Sequence, residues 1–132
     1  MTIFHLAIPT HDLGLAKEFY TKVLKAKVGR EYPQYVVFNV YGHQLVTHLA
    51  PEDVPKKVKM YPRHFGPVLE SMEEFNEVYE RAKKQGTPFF EERFERYQNK
   101  PGWHHSFFLI DPSNNLIEVK YYVNKSDIYA EV

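Results

Sequence analysis

Residues 3–8 are apolar apart from His5, and Pro9 closes the run, which predicts a short buried strand. Asp12 stands where a helix N-cap belongs. Leu13, Ala16, Phe19, Tyr20, Val23 and Leu24 follow it at spacings of three and four, the stripe of an amphipathic helix. Residues 35–40 are β-branched and aromatic, Tyr41-Gly42 makes a turn, and residues 44–49 alternate as the return strand of a hairpin. Pro51, Pro55 and the lysines Lys56, Lys57 and Lys59 then interrupt regular structure, so residues 51–62 read as a linker.

Beyond the linker the pattern restarts. Residues 64–69 predict a strand, and Ser71 with Glu74 forms a capping box ahead of Met72, Phe75, Val78, Tyr79 and Ala82. Gly86 and Pro88 end that helix. Residues 89–92, 106–110 and 116–121 supply further strands, the last two joined by the turn Asp111-Pro112-Ser113-Asn114-Asn115. The restart is in register: the 59-residue offset from His5 to His64 carries Asp12 onto Ser71, Leu13 onto Met72, Ala16 onto Phe75, Tyr20 onto Tyr79 and Val23 onto Ala82. A duplicated unit explains this pattern, with module one at about 3–50, module two at about 63–122, and a tail at 123–132.

At 132 residues the chain is the size of one domain. Its 17 Lys+Arg balance 17 Asp+Glu, with no broad basic face for nucleic acid and no polybasic run for a membrane. No basic-then-apolar leader opens the chain, and no apolar run approaches the ~18 residues of a membrane span, so a cytoplasmic protein is expected. The chain has no cysteine and seven histidines. Disulfides, thiolate metal sites and cysteine nucleophiles are thereby excluded, and any metal must be held by His, Asp or Glu.

Each module opens with a strand histidine, His5 or His64, and each ends its last strand with a possible donor, His48 or Glu118. If a pseudo-twofold axis relates the modules, these four positions converge on one point, as a metal site requires.

The segment His5-Leu6-Ala7-Ile8-Pro9-Thr10-His11-Asp12-Leu13, with Ala16, Phe19, Tyr20, Val23 and Leu24 after it, resembles the first module of the vicinal oxygen chelate superfamily. That group holds glyoxalase I, extradiol ring-cleavage dioxygenases, and the fosfomycin and bleomycin resistance proteins. The second half is similar independently, through His64-Phe65-Gly66-Pro67-Val68 and the run from Phe107 through Asp111-Pro112-Ser113-Asn114-Asn115 to Glu118. The resemblance implies an α+β fold of two tandem βαβββ modules forming a half-open barrel, with metal ligands at His5, His64 and Glu118. Two imidazoles and a carboxylate leave coordination positions open and suit Fe(II) or Mn(II), with Ni(II) or Zn(II) as alternatives.

His48 departs from the group's pattern, since glyoxalases have glutamate at the end of module one and extradiol dioxygenases generally lack a ligand there. It is either a fourth ligand or an acid–base group beside the substrate, with Gln44 as a neighbour on its face. His104 and His105 are a loop pair or proton-transfer groups. His11 and His43 read as solvated, and Arg93 and Arg96, with acidic neighbours, as surface charges rather than an anion clamp. Tyr35, Tyr97, Tyr121 and Tyr122 read as core or sheet surface. The implied activity is metal-dependent chemistry on a small molecule with two adjacent oxygens. Extradiol ring cleavage is preferred over a glyoxalase-like lyase or isomerase and over metal-free drug binding. Thiol transfer to an epoxide is disfavoured, and a homodimer is the expected assembly.

Overall fold

The computed structural model describes residues 1–131 and divides into two compact units. The first comprises Met1–Val58 with Asp111–Asn115, and the second Lys59–Ile110 with the chain from Leu116 onward. In the first unit, β1 (His5–Thr10), α1 (Leu13–Lys22), β2 (Lys27–Tyr32), β3 (Tyr35–Val40) and β4 (His43–Leu49) build a sheet of order β1-β4-β3-β2. The second repeats the order with β5 (Val68–Leu69), α2 (Met72–Lys84), β6 (Phe89–Arg96), β7 (His104–Ile110) and β8 (Leu116–Tyr122) as β5-β8-β7-β6. The chain is therefore a tandem βαβββ protein with two separate four-stranded mixed sheets, neither closed into a barrel.

The two helices are built alike. Asp12 Oδ1 accepts from the Leu15 amide at 2.9 Å, and Ser71 Oγ accepts from the Glu74 amide at 3.1 Å, so each cap satisfies one free N–H of the first turn. Ala16, Phe19 and Val23 of the first helix region are buried, and the 59-residue offset carries them onto the buried Phe75, Val78 and Ala82. Both helices thus cover one face of their own sheet with side chains at matching positions.

Several elements differ from the sequence expectation. The strand β1 runs through Pro9 to Thr10; it lies at a sheet edge, where a missing N–H costs no ladder bond. The strand β2 was not expected, because all six of its residues are exposed and carry no apolar alternation. The expected strand 64–69 is a strand only at Val68–Leu69, preceded by an isolated bridge between Phe65 and Ile117, while β6 extends four residues beyond its expected end.

The Asp111–Asn115 turn is ordered by one carboxylate. Asp111, 4% exposed, accepts from the Ser113 and Asn115 amides on Oδ1, and from Asn115 Nδ2 and the Tyr20 hydroxyl on Oδ2, at 2.7–2.9 Å. Burial first, and then the Asp111 carboxylate, push the Tyr20 phenol well above its usual range, so it stays protonated and donates. Tyr20→Phe removes a buried charge-assisted bond and is expected to lower unfolding free energy by ~1–3 kcal/mol in urea titration. A loss below ~0.5 kcal/mol would mean that Asp111 does not depend on this donor.

Candidate metal centre

In the second unit the strand alternation sorts side chains onto two faces. Phe107, Leu109, Ile117 and Val119 are 0% exposed and face α2, with the rings of Phe75 and Phe107 4.9 Å apart. The intervening residues, His104, Ser106 and Phe108 on β7 and Glu118, Lys120 and Tyr122 on β8, occupy the other face. Cross-strand register pairs Phe108 with Glu118, Ser106 with Lys120, and His104 with Tyr122.

Glu118 lies at the centre of this second face. Its Oε2 accepts from Ser106 Oγ at 2.8 Å, and its Oε1 stands 3.2 Å from His64 Nε2. His64 Nδ1 is 2.6 Å from the Met60 carbonyl, which can only accept, so Nδ1 carries the hydrogen. An Nε2 that carries no hydrogen turns a bare lone pair toward a carboxylate oxygen. Two acceptors at that distance require a cation or a proton between them. The spacing matches two adjacent donors each ~2.0–2.2 Å from one divalent ion, and an Nδ1–H held by a carbonyl is the usual support of a metal-bound histidine. The residues present therefore fit two of the donors that a divalent metal would need.

The position of His64 depends on Gly66. The Phe65 carbonyl accepts from the Glu118 amide and the Pro67 carbonyl from the Lys120 amide, so β8 lies directly alongside this segment. A Cβ at residue 66 would collide with the Glu118 backbone carbonyl, an atom that cannot swing aside.

His104 and His105 are adjacent but face opposite ways. His104, 5% exposed, lies on the Glu118 face and donates from Nδ1 to the Gly102 carbonyl at 2.9 Å. Its pKa is lowered from the usual 6.5, first by desolvation, with Lys120 and Arg96 adding to this and the Gly102 carbonyl and Glu118 opposing it. His105 lies on the helix side against Phe75, with its Nε2 3.6 Å from Glu95 Oε1. The two arginines divide in the same way. Arg93 lies over the rings of Phe75 and Tyr79, whereas Arg96 pairs in register with His104 and lies over Phe94. Ser106, Lys120 and Arg96 were not selected by sequence reasoning. The signal available for Ser106 was a polar residue two positions from His104 in an aromatic strand.

In the first unit, His5 Nδ1 is 2.6 Å from Gln44 Oε1, its cross-strand partner on β4. His48 instead pairs with Pro9 and packs its ring on Tyr35, so it lies four residue steps, ~13 Å, along the strand from the His5 row. The helix caps fix the correspondence between modules. Thr10, two residues before Asp12, pairs with Leu49; Leu69, two residues before Ser71, pairs with Tyr121. Counting back from these pairs, Val46 corresponds to Glu118, and His48 to Lys120. The placement of His48 as the counterpart of Glu118 is thus corrected: a sequence alignment by strand end was two residues out of register. Within either unit, among the described residues, no three His, Asp or Glu side chains gather as a metal-holding group. His11 Nδ1 bonds Ser113 Oγ at 2.7 Å, and His43 Nδ1 accepts from the Phe4 amide at 3.0 Å; both histidines are exposed.

The βαβββ repeat with a carboxylate in its closing strand defines the class. The family model of the Glyoxalase/Bleomycin resistance protein/Dioxygenase superfamily matches residues 2–119, and the chain belongs to that superfamily. A glyoxalase/bleomycin resistance protein/dioxygenase from Alicyclobacillus acidocaldarius is 42% identical, with 97% of this chain and 96% of that one covered and a TM-score of 0.90. The fosfomycin resistance protein FosX of Listeria monocytogenes is 19% identical, with coverage of 96% and 97% and a TM-score of 0.74, which shows the shared fold. A FosX variant solved with Mn(II) and 1S,2S-dihydroxypropylphosphonic acid is 20% identical, with coverage of 89% and 87% and a TM-score of 0.71. No curated protein matches the chain. Among the described residues, no helix is long and apolar enough to cross a membrane.

Gly66→Ala is expected to push the His64 segment off β8 and to destabilise the fold by ~2 kcal/mol or more by the overpacking it forces, read by thermal or urea unfolding. Unchanged stability would show that the segment yields freely. For His104, the lowered pKa means that the unfolded chain binds the proton more readily. Its contribution to stability is complete above the unfolded value and is lost as pH falls through that value toward the folded one. An NMR titration should place the His104 midpoint below 6.5; a midpoint at or above 6.5 would contradict this environment.

Proposed function

We propose that the protein is a divalent-metal-dependent enzyme of the glyoxalase/dioxygenase group, acting on a small molecule whose two adjacent oxygens reach the metal. The observation that carries this reading is the His64–Glu118 pair: Nε2 and Oε1 at 3.2 Å, with the far side of each group tied to Met60 and Ser106. Glu118 is the anionic donor, and Ser106 fixes its rotamer. His64 is the neutral donor, held in one tautomer by the Met60 carbonyl. His5 holds in its module the place that His64 holds in the second. The proposed donor set does not include His48, which pairs with Pro9 on β1.

A divalent ion held by such a set supplies Lewis acidity toward a chelating substrate. His104 stays neutral, and its Nδ1 hydrogen is engaged by Gly102, so Nε2 is the atom that can take up a proton. Ring cleavage remains the preferred reaction. It rests on the His64-Phe65-Gly66 start and the closing Leu116-Ile117-Glu118-Val119-Lys120 run, and on the absence of a second strand carboxylate, Val46 standing where Glu118 has its counterpart.

Anaerobic reconstitution with Fe(II), Mn(II), Ni(II) or Zn(II), followed by metal analysis, tests the reading. The wild type should retain close to one ion per chain. Glu118→Ala and His64→Ala should each weaken binding by at least ~100-fold, and Ser106→Ala by ~10-fold, as loss of a supporting hydrogen bond does. A wild type that binds none of the four ions would favour the metal-free drug-binding alternative.

A further inference from the structure

Two cations on the Glu118 face have no role in metal binding. Lys120 lies two residues beyond Glu118 on β8, ~7 Å along the strand and on the same side. Arg96 lies on β6 opposite His104, so the one strand β7 separates it from β8. Each is held over an aromatic ring: Lys120 Nζ lies 5.2 Å from the centre of Tyr122, and Arg96 Cζ lies 5.3 Å from that of Phe94. Among the described residues, neither has a carboxylate within ion-pair distance; the nearby Glu118 accepts from Ser106 on Oε2 and turns Oε1 toward His64.

Two other long cations near this sheet are engaged elsewhere. Lys83 is paired with Glu92 at 2.8 Å, and Arg93 lies on the helix side. Between Lys120 and Arg96 the face is lined by Ser106 and His104, both buried, with Tyr122 beside His104 at 4.9 Å between rings. The charges of both cations reach His104, which they help to keep neutral. Two cations without a direct ion pair, flanking a neutral imidazole and a hydroxyl, form a receptor for a negatively charged group. Arginine in particular matches a carboxylate or phosphonate with two parallel hydrogen bonds.

We infer that this face carries an oxyanion subsite in which Lys120 and Arg96 receive a carboxylate, phosphonate or phosphate group of the substrate, Lys120 from ~7 Å along β8 beyond Glu118 and Arg96 from two strands across, level with His104. The inference rests on the proposed function and narrows it: the substrate is a small acid whose adjacent oxygens and anionic group sit a few bonds apart. Neutral diols and neutral hemithioacetals would leave both cations unanswered.

The test uses the full chain without metal. Inorganic phosphate and benzoate are titrated separately and followed through the backbone resonances of His104 and Ser106. At least one anion should produce saturable shifts in the wild type. The Lys120→Gln/Arg96→Gln double variant should require at least ~10-fold more anion, the value of a charge-assisted bond, while Lys120→Arg keeps the wild-type response. A response to phosphate alone assigns a tetrahedral oxyanion, to benzoate alone a carboxylate, and to both a subsite for either. Absence of saturable shifts in the wild type, or equal half-saturation in the double variant, overturns the inference. Mn(II) retention, measured separately by electron paramagnetic resonance, should differ less than ~3-fold between wild type and the double variant. A wild type that fails to bind Mn(II) sinks the metal reading and leaves the anion result standing.

Discussion

The candidate site depends on how closely one backbone segment lies against another. The stretch from Phe65 to Pro67 runs beside β8 with no room for a side chain at residue 66, and its hydrogen bonds to the Glu118 and Lys120 amides set the register. That register puts His64 against Glu118 rather than one residue away, where strand alternation would turn one of the pair to the helix side. Ser106 and the Met60 carbonyl then orient the two groups, so Glu118 Oε1 and His64 Nε2 face each other at 3.2 Å.

The same unit shows how one sheet serves two tasks. Every second residue of β7 and β8 packs against α2, and the residues between them carry the polar chemistry. His104 and His105 illustrate the division, one sharing the Glu118 face and the other packed with Phe75 and Glu95. In the first unit the corresponding face holds Val46 where the second holds Glu118, so the duplication has kept the backbone plan while its chemistry has diverged. Strand order, caps and buried helix positions remain matched.

Much of the fold was legible because it is encoded locally. The caps at Asp12 and Ser71, the helical stripes and the 59-residue repeat all depend on residues near one another in sequence. The strand β2 was not legible, because an exposed strand such as Lys27–Tyr32 has no hydrophobic period. Of the candidate site, His64 and Glu118 were named from motif and position, but His48 was misaligned with Glu118, since sheet register is set by hydrogen bonds between distant segments. Ser106 and Lys120 were not selected for the same reason, since their shared face is a property of strand pairing, and Arg96 was weighed as an anion clamp and set aside because its sequence neighbours are acidic.

The central claim is that His64 and Glu118 are two donors to one divalent ion. Anomalous diffraction at the manganese edge, from crystals soaked anaerobically in Mn(II), tests it most directly. The account predicts a peak ~2.0–2.3 Å from both His64 Nε2 and Glu118 Oε1. A structure in which those atoms stay in direct contact, with no anomalous peak beside them, would contradict it.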